Sequence, residues 1–177
     1  MINSYIILDR DGTLIKNVPY LSDPNEIFIL PGTIEGLQLL KSMNYRFGIV
    51  TNQSAIGRGL ATRQEVELVN SRMYELFHNF EISFDFLLLC PHTPDENCFC
   101  RKPNVGLGFY AINEFKVDAD SSFMIGDKDS DIQFGKSLGL KTVRILSSYP
   151  TNITPNYLAT NLLEAAEKIY FRNDFQR

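Results

Sequence analysis

Two aspartates end an apolar run near the start of the chain, within the stretch Ile6–Ile15 (IILDRDGTLI). Asp9 and Asp11 are one residue apart, and residues i and i+2 of an extended segment point to the same side. Both carboxylates can therefore face one site if a cation offsets their repulsion, and Mg²⁺ prefers such hard oxygen ligands. A solvated turn is the alternative interpretation, because Asp and Gly both favour turns.

A second acidic group follows a later apolar run, in the stretch GDKDSD from Gly126 to Asp131. Asp127 could complete a magnesium site with Asp9. Asp131 stands near the start of a predicted helix, where a carboxylate also caps the helix or interacts with its dipole. Both roles can hold together, so Asp131, with Lys128, is a candidate for supporting the metal ligands.

Hydroxyl and cationic residues follow other apolar runs. Thr51 ends one of them, and its hydroxyl could donate to a phosphate oxygen, although an ordinary turn would use the same residue. Arg101 and Lys102 supply two positive charges, which in isolation would indicate only a solvated surface. Here the pair directly follows a group of metal-ligand residues.

That group holds three thiols and one imidazole within eleven residues: Cys90, His92, Cys98 and Cys100. Three Cys and one His form a structural zinc set, and four protein ligands leave no position open for catalysis. Clustered cysteines indicate a metal site more than disulfides, and they also indicate a reducing compartment. Reduced surface cysteines with an unrelated histidine are the alternative. His78, the other histidine, is interpreted as structural.

The elements that must position these residues alternate along the chain. Five short apolar runs predict strands: Tyr5–Leu8, Phe47–Val50, Phe84–Leu89, Phe123–Ile125 and Thr142–Ile145. Helical patterns lie between and after them: Thr33–Met43, Thr62–Phe80, Val105–Phe115, Asp131–Leu138 and Leu158–Tyr170. This alternation predicts an α/β domain with a mostly parallel sheet, helices on both faces and chemistry at the carboxyl ends of the strands. We assign no chemistry to the segment after Ser147 and expect it only to cover the sheet.

Composition limits the class of protein. The chain has 177 residues, 44% of them apolar, which fits one domain over residues 1–177. Its net charge is −4 without a basic stripe, so we expect no nucleic-acid partner. Neither a membrane span nor a signal-peptide pattern is present in the sequence. We therefore expect a cytoplasmic protein without membrane association.

Taken in order, four segments resemble the motifs of the haloacid dehalogenase (HAD) superfamily: Asp9–Thr13, Thr51–Asn52, Lys102 and Gly126–Asp131. The resemblance covers Tyr5 to about Ile145 and implies a Rossmann-like fold and a magnesium-dependent phosphatase. A receiver-type phospho-acceptor uses similar residues in a different layout, since here the third strand ends in Cys90. A zinc-dependent binding module with structural aspartates is another rival.

The resemblance also implies roles for these residues. Asp9 would be the nucleophile that forms an aspartyl-phosphate, and Asp11 would be the general acid and then the general base. Asp9, the backbone carbonyl of Asp11 and Asp127 would hold Mg²⁺. Thr51 and Lys102 would stabilise the charge on the transferring phosphoryl group.

The stretch CPHTPDENCFCRKP resembles the zinc loop, here residues 90–100, of the heptose bisphosphate and histidinol-phosphate phosphatases, which lack a large cap domain. Only 41 residues separate Asp9 from Thr51, which agrees with a capless form and with a monomer. The stretch TNQSAIGRG is similar to the heptose type, and histidinol phosphate is the alternative substrate. The implied residues for binding a small phosphorylated substrate are Asn17, Tyr20, Asn52, Gln53, Ser54, Arg58, Arg101 and Lys102.

Overall fold

The computed structural model describes residues 3–174, in which six strands form one sheet. The strands are β1 (Tyr5–Leu8), β2 (Arg46–Asn52), β3 (Phe86–Cys90), β4 (Phe123–Gly126), β5 (Lys141–Ile145) and β6 (Tyr157–Ala159). Their order is β3-β2-β1-β4-β5-β6, and every neighbouring pair is parallel. The predicted α/β fold with a parallel sheet is therefore confirmed.

Helices lie between most of the strands and after the last one. They are α1 (Thr33–Ser42), α2 (Ser54–Gly57), α3 (Arg63–His78), α4 (Gly106–Phe115), α5 (Asp129–Ser137) and α6 (Leu162–Asp174). The predicted capping box of α3 is present: the Thr62 hydroxyl accepts from the Glu65 amide at 3.2 Å, and the Glu65 carboxylate accepts from the Thr62 amide at 2.7 Å. The four-residue helix α2 was not predicted.

The sheet is buried on both faces, which explains why its strands are continuous apolar runs. In β1, Ile6 and Leu8 pack with residues of α1, α3 and α6 in one core cluster. The alternate residues Tyr5 and Ile7 pack with residues of α4 and α5 in another. Each such side chain stabilises the fold by about 1.5–3 kcal/mol through burial. The carboxyl ends of β1 to β5 therefore open at one edge of a covered sheet.

The prediction for the last helix is wrong at its start. Residues Tyr157–Ala159 form β6, which pairs with β5 in the register Val143↔Tyr157. The helix begins only at Leu162 because the Asn161 side chain accepts from the Glu164 amide at 2.9 Å and caps it. The segment after Ser147 thus adds an edge strand, and the expectation that it only covers the sheet is wrong.

Residues 9–32, between β1 and α1, hold a 3₁₀ turn at Pro24–Glu26 and two isolated bridges, Asp11↔Ile15 and Ile15↔Ile29. No large cap domain is present in the described part of the chain. Among residues 3–174, none of the helices has the length and hydropathy needed to cross a membrane.

Candidate active site

A cleft of about 350 Å³ opens at the carboxyl edge of the sheet. Its wall is formed by Asp9, Arg10, Asp11, Asn17, Val18, Pro19, Tyr20, Leu21, Asn52, Gln53, Ser54, Ala55, Arg101, Lys102, Lys128, Ser130, Asp131 and Tyr149. These residues follow β1, β2, β3, β4 and β5, so the parallel sheet brings together segments that are far apart in sequence.

A buried lysine lies at the centre of the acidic residues. Lys102 Nζ is 2.9 Å from Asp9 Oδ1 and 2.7 Å from Asp131 Oδ1, and it donates to the Val50 carbonyl at 2.5 Å. All three charged residues are at most 4% exposed. Because a buried charge is costly unless it is paired, Lys102 stabilises the charged forms of both carboxylates, and they stabilise its ammonium group.

The charges separate the pKa values of the neighbouring aspartates. Burial alone would raise the pKa of Asp9, but the ammonium groups of Lys102 and Lys128 hold it below its usual value. Burial raises the pKa of Asp127 to about 6, and the carboxylates of Asp9 and Asp131 add to this while Lys128 opposes it. Asp9 is therefore ionised at neutral pH, whereas Asp127 binds a proton more readily.

The carboxylates of Asp9, Asp127 and Asp131 have oxygen atoms within 4.8 Å of one another. The two Asp131 oxygens are occupied, because Oδ1 contacts Lys102 and Oδ2 accepts from the Lys128 amide at 3.0 Å. Asp127 Oδ1 is buried and accepts no hydrogen bond within the described residues; the ammonium group of Lys128 lies 3.4 Å from it. Such an oxygen beside Asp9 fits a hard divalent cation such as Mg²⁺.

Glycine at position 12 lets the backbone approach that carboxylate. Gly12 has φ +88°, and a Cβ there would lie 2.5 Å from Asp127 Oδ2. Any side chain at this position would therefore displace Asp127 as well as strain the backbone.

Two side chains, Arg10 and Gln53, hold the second aspartate. Arg10, which is 1% exposed, donates to the Asp11 carboxylate at 3.0 and 3.1 Å and to Asn70 Oδ1 at 2.8 Å. Gln53 Nε2 donates to Asp11 Oδ2 at 2.7 Å and to Thr51 Oγ1 at 2.8 Å. The carboxylate of Asp11 is thus fixed at the cleft wall. Thr51 is buried beneath Gln53 and is not among the wall residues.

Asn52 connects the end of β2 to the lysine. Its Nδ2 donates to the Lys102 carbonyl at 3.0 Å, and its Oδ1 accepts from the Lys102 amide at 3.0 Å. Both ends of the amide group therefore hold the Lys102 backbone, which directs the side chain towards Asp9.

The four predicted zinc ligands converge after β3. The Cys90, Cys98 and Cys100 Sγ atoms are 3.2–3.6 Å apart, and His92 Nδ1 is 3.2 Å from Cys100 Sγ and 3.5 Å from Cys90 Sγ. Tetrahedral ligands about 2.0–2.3 Å from one Zn²⁺ lie about 3.3–3.8 Å apart, and the separations in this cluster are close to that range, so the set suits zinc. The sulfur separations exceed the disulfide bond length of about 2.0 Å.

The thiols have unequal pKa values. Burial raises the pKa of Cys90. Burial also opposes ionisation of Cys98, but hydrogen bonds from Cys100 and Cys90 lower its pKa to about 7. One thiol of the cluster is therefore readily converted to the thiolate that binds a metal.

The Cys/His loop is joined to the cleft by three hydrogen bonds. Arg101, a wall residue, donates from Nη1 to the His92 carbonyl at 3.1 Å. The Gln53 amide donates to the Cys90 carbonyl at 2.8 Å, and the Gly57 amide donates to the Pro91 carbonyl at 2.9 Å. The position of the loop thus determines the position of one cation in the cleft.

Most of the predicted site residues lie in the cleft wall, but not all. Arg58 is exposed at the end of α2 and is not among the wall residues, so its role in binding stays a prediction. Asp127 lines a neighbouring cleft instead. Arg10 and Tyr149 were missed. The position of Arg10 between the two aspartates could have identified it from the sequence. Tyr149 lies in a segment without any recognisable motif.

Comparisons with known proteins identify the family of this chain. The HAD-hydrolase-like family model matches residues 99–165. The chain is 36% identical over 149 residues to the D-glycero-β-D-manno-heptose-1,7-bisphosphate 7-phosphatase of Helicobacter pylori, covering 84% of this chain and 86% of that protein. It is 34% identical over 147 residues to the histidine biosynthesis bifunctional protein HisB of Blochmanniella floridana, covering 81% of this chain and 41% of that protein.

Solved structures show the same fold. The D,D-heptose 1,7-bisphosphate phosphatase of B. bronchiseptica, complexed with magnesium and phosphate, superimposes with a TM-score of 0.85 at 24% identity, over 96% of this chain and 99% of that one. The chain therefore belongs to the HAD-like hydrolases, in the branch that contains the heptose bisphosphate and histidinol-phosphate phosphatases.

Proposed function

We propose that this protein is a magnesium-dependent phosphatase that removes the C7 phosphate from D-glycero-D-manno-heptose 1,7-bisphosphate. The observation that carries the proposal is the Asp9 carboxylate, which lines the cleft with the ammonium groups of Lys102 and Lys128 at 2.9 and 3.7 Å from its oxygens. Relatives named as 7-phosphatases, such as the H. pylori protein, support the choice of substrate.

In the first half of the reaction, Asp9 attacks the phosphorus atom. A bond forms between its carboxylate oxygen and phosphorus while the bond from phosphorus to the sugar oxygen breaks. Asp11 gives its proton to the departing sugar oxygen. Arg10 and Gln53 hold the Asp11 carboxyl group for this transfer, because both donate to its oxygens.

In the second half, water hydrolyses the aspartyl-phosphate. The water oxygen attacks phosphorus, and Asp11, now a carboxylate, takes a proton from that water. The bond between phosphorus and Asp9 breaks, which releases inorganic phosphate and regenerates both aspartates. Lys102 stays beside the reacting oxygens because its 2.9 Å contact with Asp9 holds its charge there. Thr51 is the further candidate donor to phosphoryl oxygens.

Asp9, the Asp11 carbonyl and the Asp127 carboxylate would hold Mg²⁺, and Asp131 would orient Lys102. Asp127 Oδ1 accepts no hydrogen bond within the described residues, which supports this ligand set over one that includes Asp131, whose two oxygens are both occupied. The ion supplies positive charge that reduces the repulsion between an anionic phosphate and a carboxylate nucleophile.

Zn²⁺ would be structural, held by Cys90, His92, Cys98 and Cys100 within the loop 90–100. Four protein ligands leave no open coordination position. Its effect on the reaction would pass through the Arg101 contact to the His92 carbonyl. A free-thiol cluster of this kind suits a reducing compartment, so we also propose that the protein is cytoplasmic. We propose in addition that it is a single-domain monomer.

Charge in the cleft favours the bisphosphate over histidinol phosphate. Lys102 is paired with Asp9 and Asp131, but Arg101 and Lys128 also line the wall, and the hydroxyl residue Ser54 stands where we expect an acidic residue in a histidinol enzyme. A second phosphate interacts favourably with these cations, whereas a protonated amine is repelled. Histidinol phosphate remains the second candidate because of the identity with HisB.

A kinetic comparison tests the proposal. The protein, loaded with Mg²⁺ and Zn²⁺, is assayed for phosphate release from heptose 1,7-bisphosphate and from histidinol phosphate. We expect kcat/KM to favour the bisphosphate by at least about a hundredfold, equivalent to about 3 kcal/mol. A preference for histidinol phosphate would overturn the choice of substrate, and the absence of hydrolysis of both would overturn the enzyme assignment.

A further inference from the structure

The loop after β5 carries an aromatic residue into the cleft. Tyr149 is 40% exposed and lines the candidate active site together with Asn17 and Lys128. It also lines a neighbouring cleft of about 540 Å³, as does Asn17. The pair of residues therefore forms a shared wall between the two clefts.

A buried arginine anchors this loop. Arg144, which is 0% exposed, pairs through Nη1 with the Asp129 carboxylate. Its Nη2 donates to the carbonyls of Tyr149 at 3.3 Å and Pro150 at 2.8 Å. Because a buried guanidinium is costly without partners, these contacts hold the loop backbone in one place.

The same loop is attached to the acidic segment after β4. Ser147 Oγ donates to the Asp127 carbonyl at 3.1 Å, and the Tyr149 amide donates to Ser147 Oγ at 3.3 Å. The Asn152 amide donates to Asp129 Oδ2 at 2.9 Å. The tyrosine is thus placed relative to the Asp127 segment by contacts on both sides of it.

Two contacts fix the tyrosine ring itself. Its hydroxyl accepts from Asn17 Nδ2 at 2.9 Å, which connects it to the loop after β1. Lys128 Nζ lies 5.1 Å from the ring centroid, a cation–π distance. A half-exposed ring with this much support is arranged to present apolar surface to a ligand in the cleft.

We propose that Tyr149 is a specificity-determining residue that contacts the carbon skeleton of the substrate beyond the reacting phosphate. The inference rests on the proposed function and extends it to the alcohol portion. The preferred alcohol carries a polyol carbon chain next to the reacting phosphate, because C–H groups of a sugar pack on an aromatic ring. Lys128 beside the ring disfavours a cationic alcohol.

The test compares substrate selectivity between variants of the Mg²⁺- and Zn²⁺-loaded protein. Acetyl phosphate offers a reacting phosphoryl group without a sugar, and heptose 1,7-bisphosphate offers both. We expect Tyr149→Ala to lower the ratio of kcat/KM for the bisphosphate to that for acetyl phosphate about tenfold, through a higher KM for the bisphosphate. Tyr149→Phe keeps the ring and should recover most of the ratio.

Tyr110→Ala is the matched control, because Tyr110 is also about half exposed but lies on α4 outside the cleft wall. It should leave the ratio unchanged. An unchanged ratio in Tyr149→Ala, or a loss confined to kcat, would overturn the role of Tyr149 while leaving the phosphatase assignment intact. Wild-type protein that does not hydrolyse the bisphosphate would instead contradict the proposed function and, with it, this inference.

Discussion

At the scale of single residues, Lys102 is the centre of the candidate site. It contacts Asp9, Asp131 and the Val50 carbonyl at once, and its own backbone is held by Asn52. A lysine is suited to this position because its ammonium group offers three donors from one point charge. The sequence analysis identified Asp9, Lys102, Asp131 and Asn52, but it could not show that Asn52 holds the Lys102 backbone.

Substitution of Asp9, the proposed nucleophile, tests its role directly. Asp9→Asn should lower phosphate release by about a thousandfold or more, because an amide cannot attack phosphorus as a carboxylate does. The fold should persist, since Asp131 still pairs with Lys102. Circular dichroism and a discontinuous phosphate assay measure both effects.

Asp120→Asn, at an exposed position remote from the cleft wall, controls for the change of charge. Turnover in Asp9→Asn comparable to the control would contradict the nucleophile assignment.

At the scale of elements, the loops after the strands support one another. The segments after β2 and β3 are hydrogen bonded through the Gln53 and Gly57 amides, and the segments after β4 and β5 through Ser147. Each loop is therefore positioned by its neighbour as well as by its own strand. Loss of order in one loop should therefore also displace the neighbouring loop that lines the cleft.

The Cys/His loop gives a test of this support. Cys98→Ser should reduce bound zinc well below one ion per chain and lower the thermal midpoint, because one thiolate ligand is lost. The KM for the bisphosphate should rise as Arg101 loses its fixed partner, the His92 carbonyl. Elemental analysis, thermal melts and kinetics measure the three effects.

The matched control is His78→Asn, at an exposed position near the end of α3. It should retain zinc. Equal zinc content in Cys98→Ser and the control would show that the cluster does not hold this metal.

The start of α6 gives a pH-dependent test of stability. Hydrogen bonds from Lys168 and then from Thr160 lower the pKa of Glu164 to about 2. Its value in the unfolded chain is about 4.3, so the ionised form favours folding. The contribution is present above pH about 4.3 and is lost as the pH falls towards 2.

Glu164→Gln should therefore be less stable than wild type at pH 7, with the difference shrinking between pH about 4.3 and 2. Urea unfolding across this range measures the difference. Glu167→Gln, at an exposed position of the same helix, is the matched control for charge. A difference that stays constant down to pH 2 would contradict the role of the Glu164 contacts.

At the scale of the whole molecule, the sequence predicted five of the six described strands because they are buried on both faces and read as apolar runs. β6 was not predicted because it has only three residues at the sheet edge, and its Leu158 is 45% exposed, so the segment lacks an apolar run. Tyr149 was not predicted as a site residue because tertiary contacts with Arg144, Asp129 and Asn17 determine its position, and no sequence motif links it to these residues. Local sequence patterns therefore predict the motif residues, whereas tertiary contacts determine which further loop lines the active-site cleft.

The most direct test of the account follows heptose 1,7-bisphosphate by ³¹P nuclear magnetic resonance in the presence of the Mg²⁺-loaded protein. We expect the C7 phosphate signal to disappear as inorganic phosphate accumulates, while the C1 phosphate signal remains, and we expect Asp9→Asn to leave both sugar signals intact. Release of the C1 phosphate, or retention of both signals with wild-type protein, would contradict the proposed function.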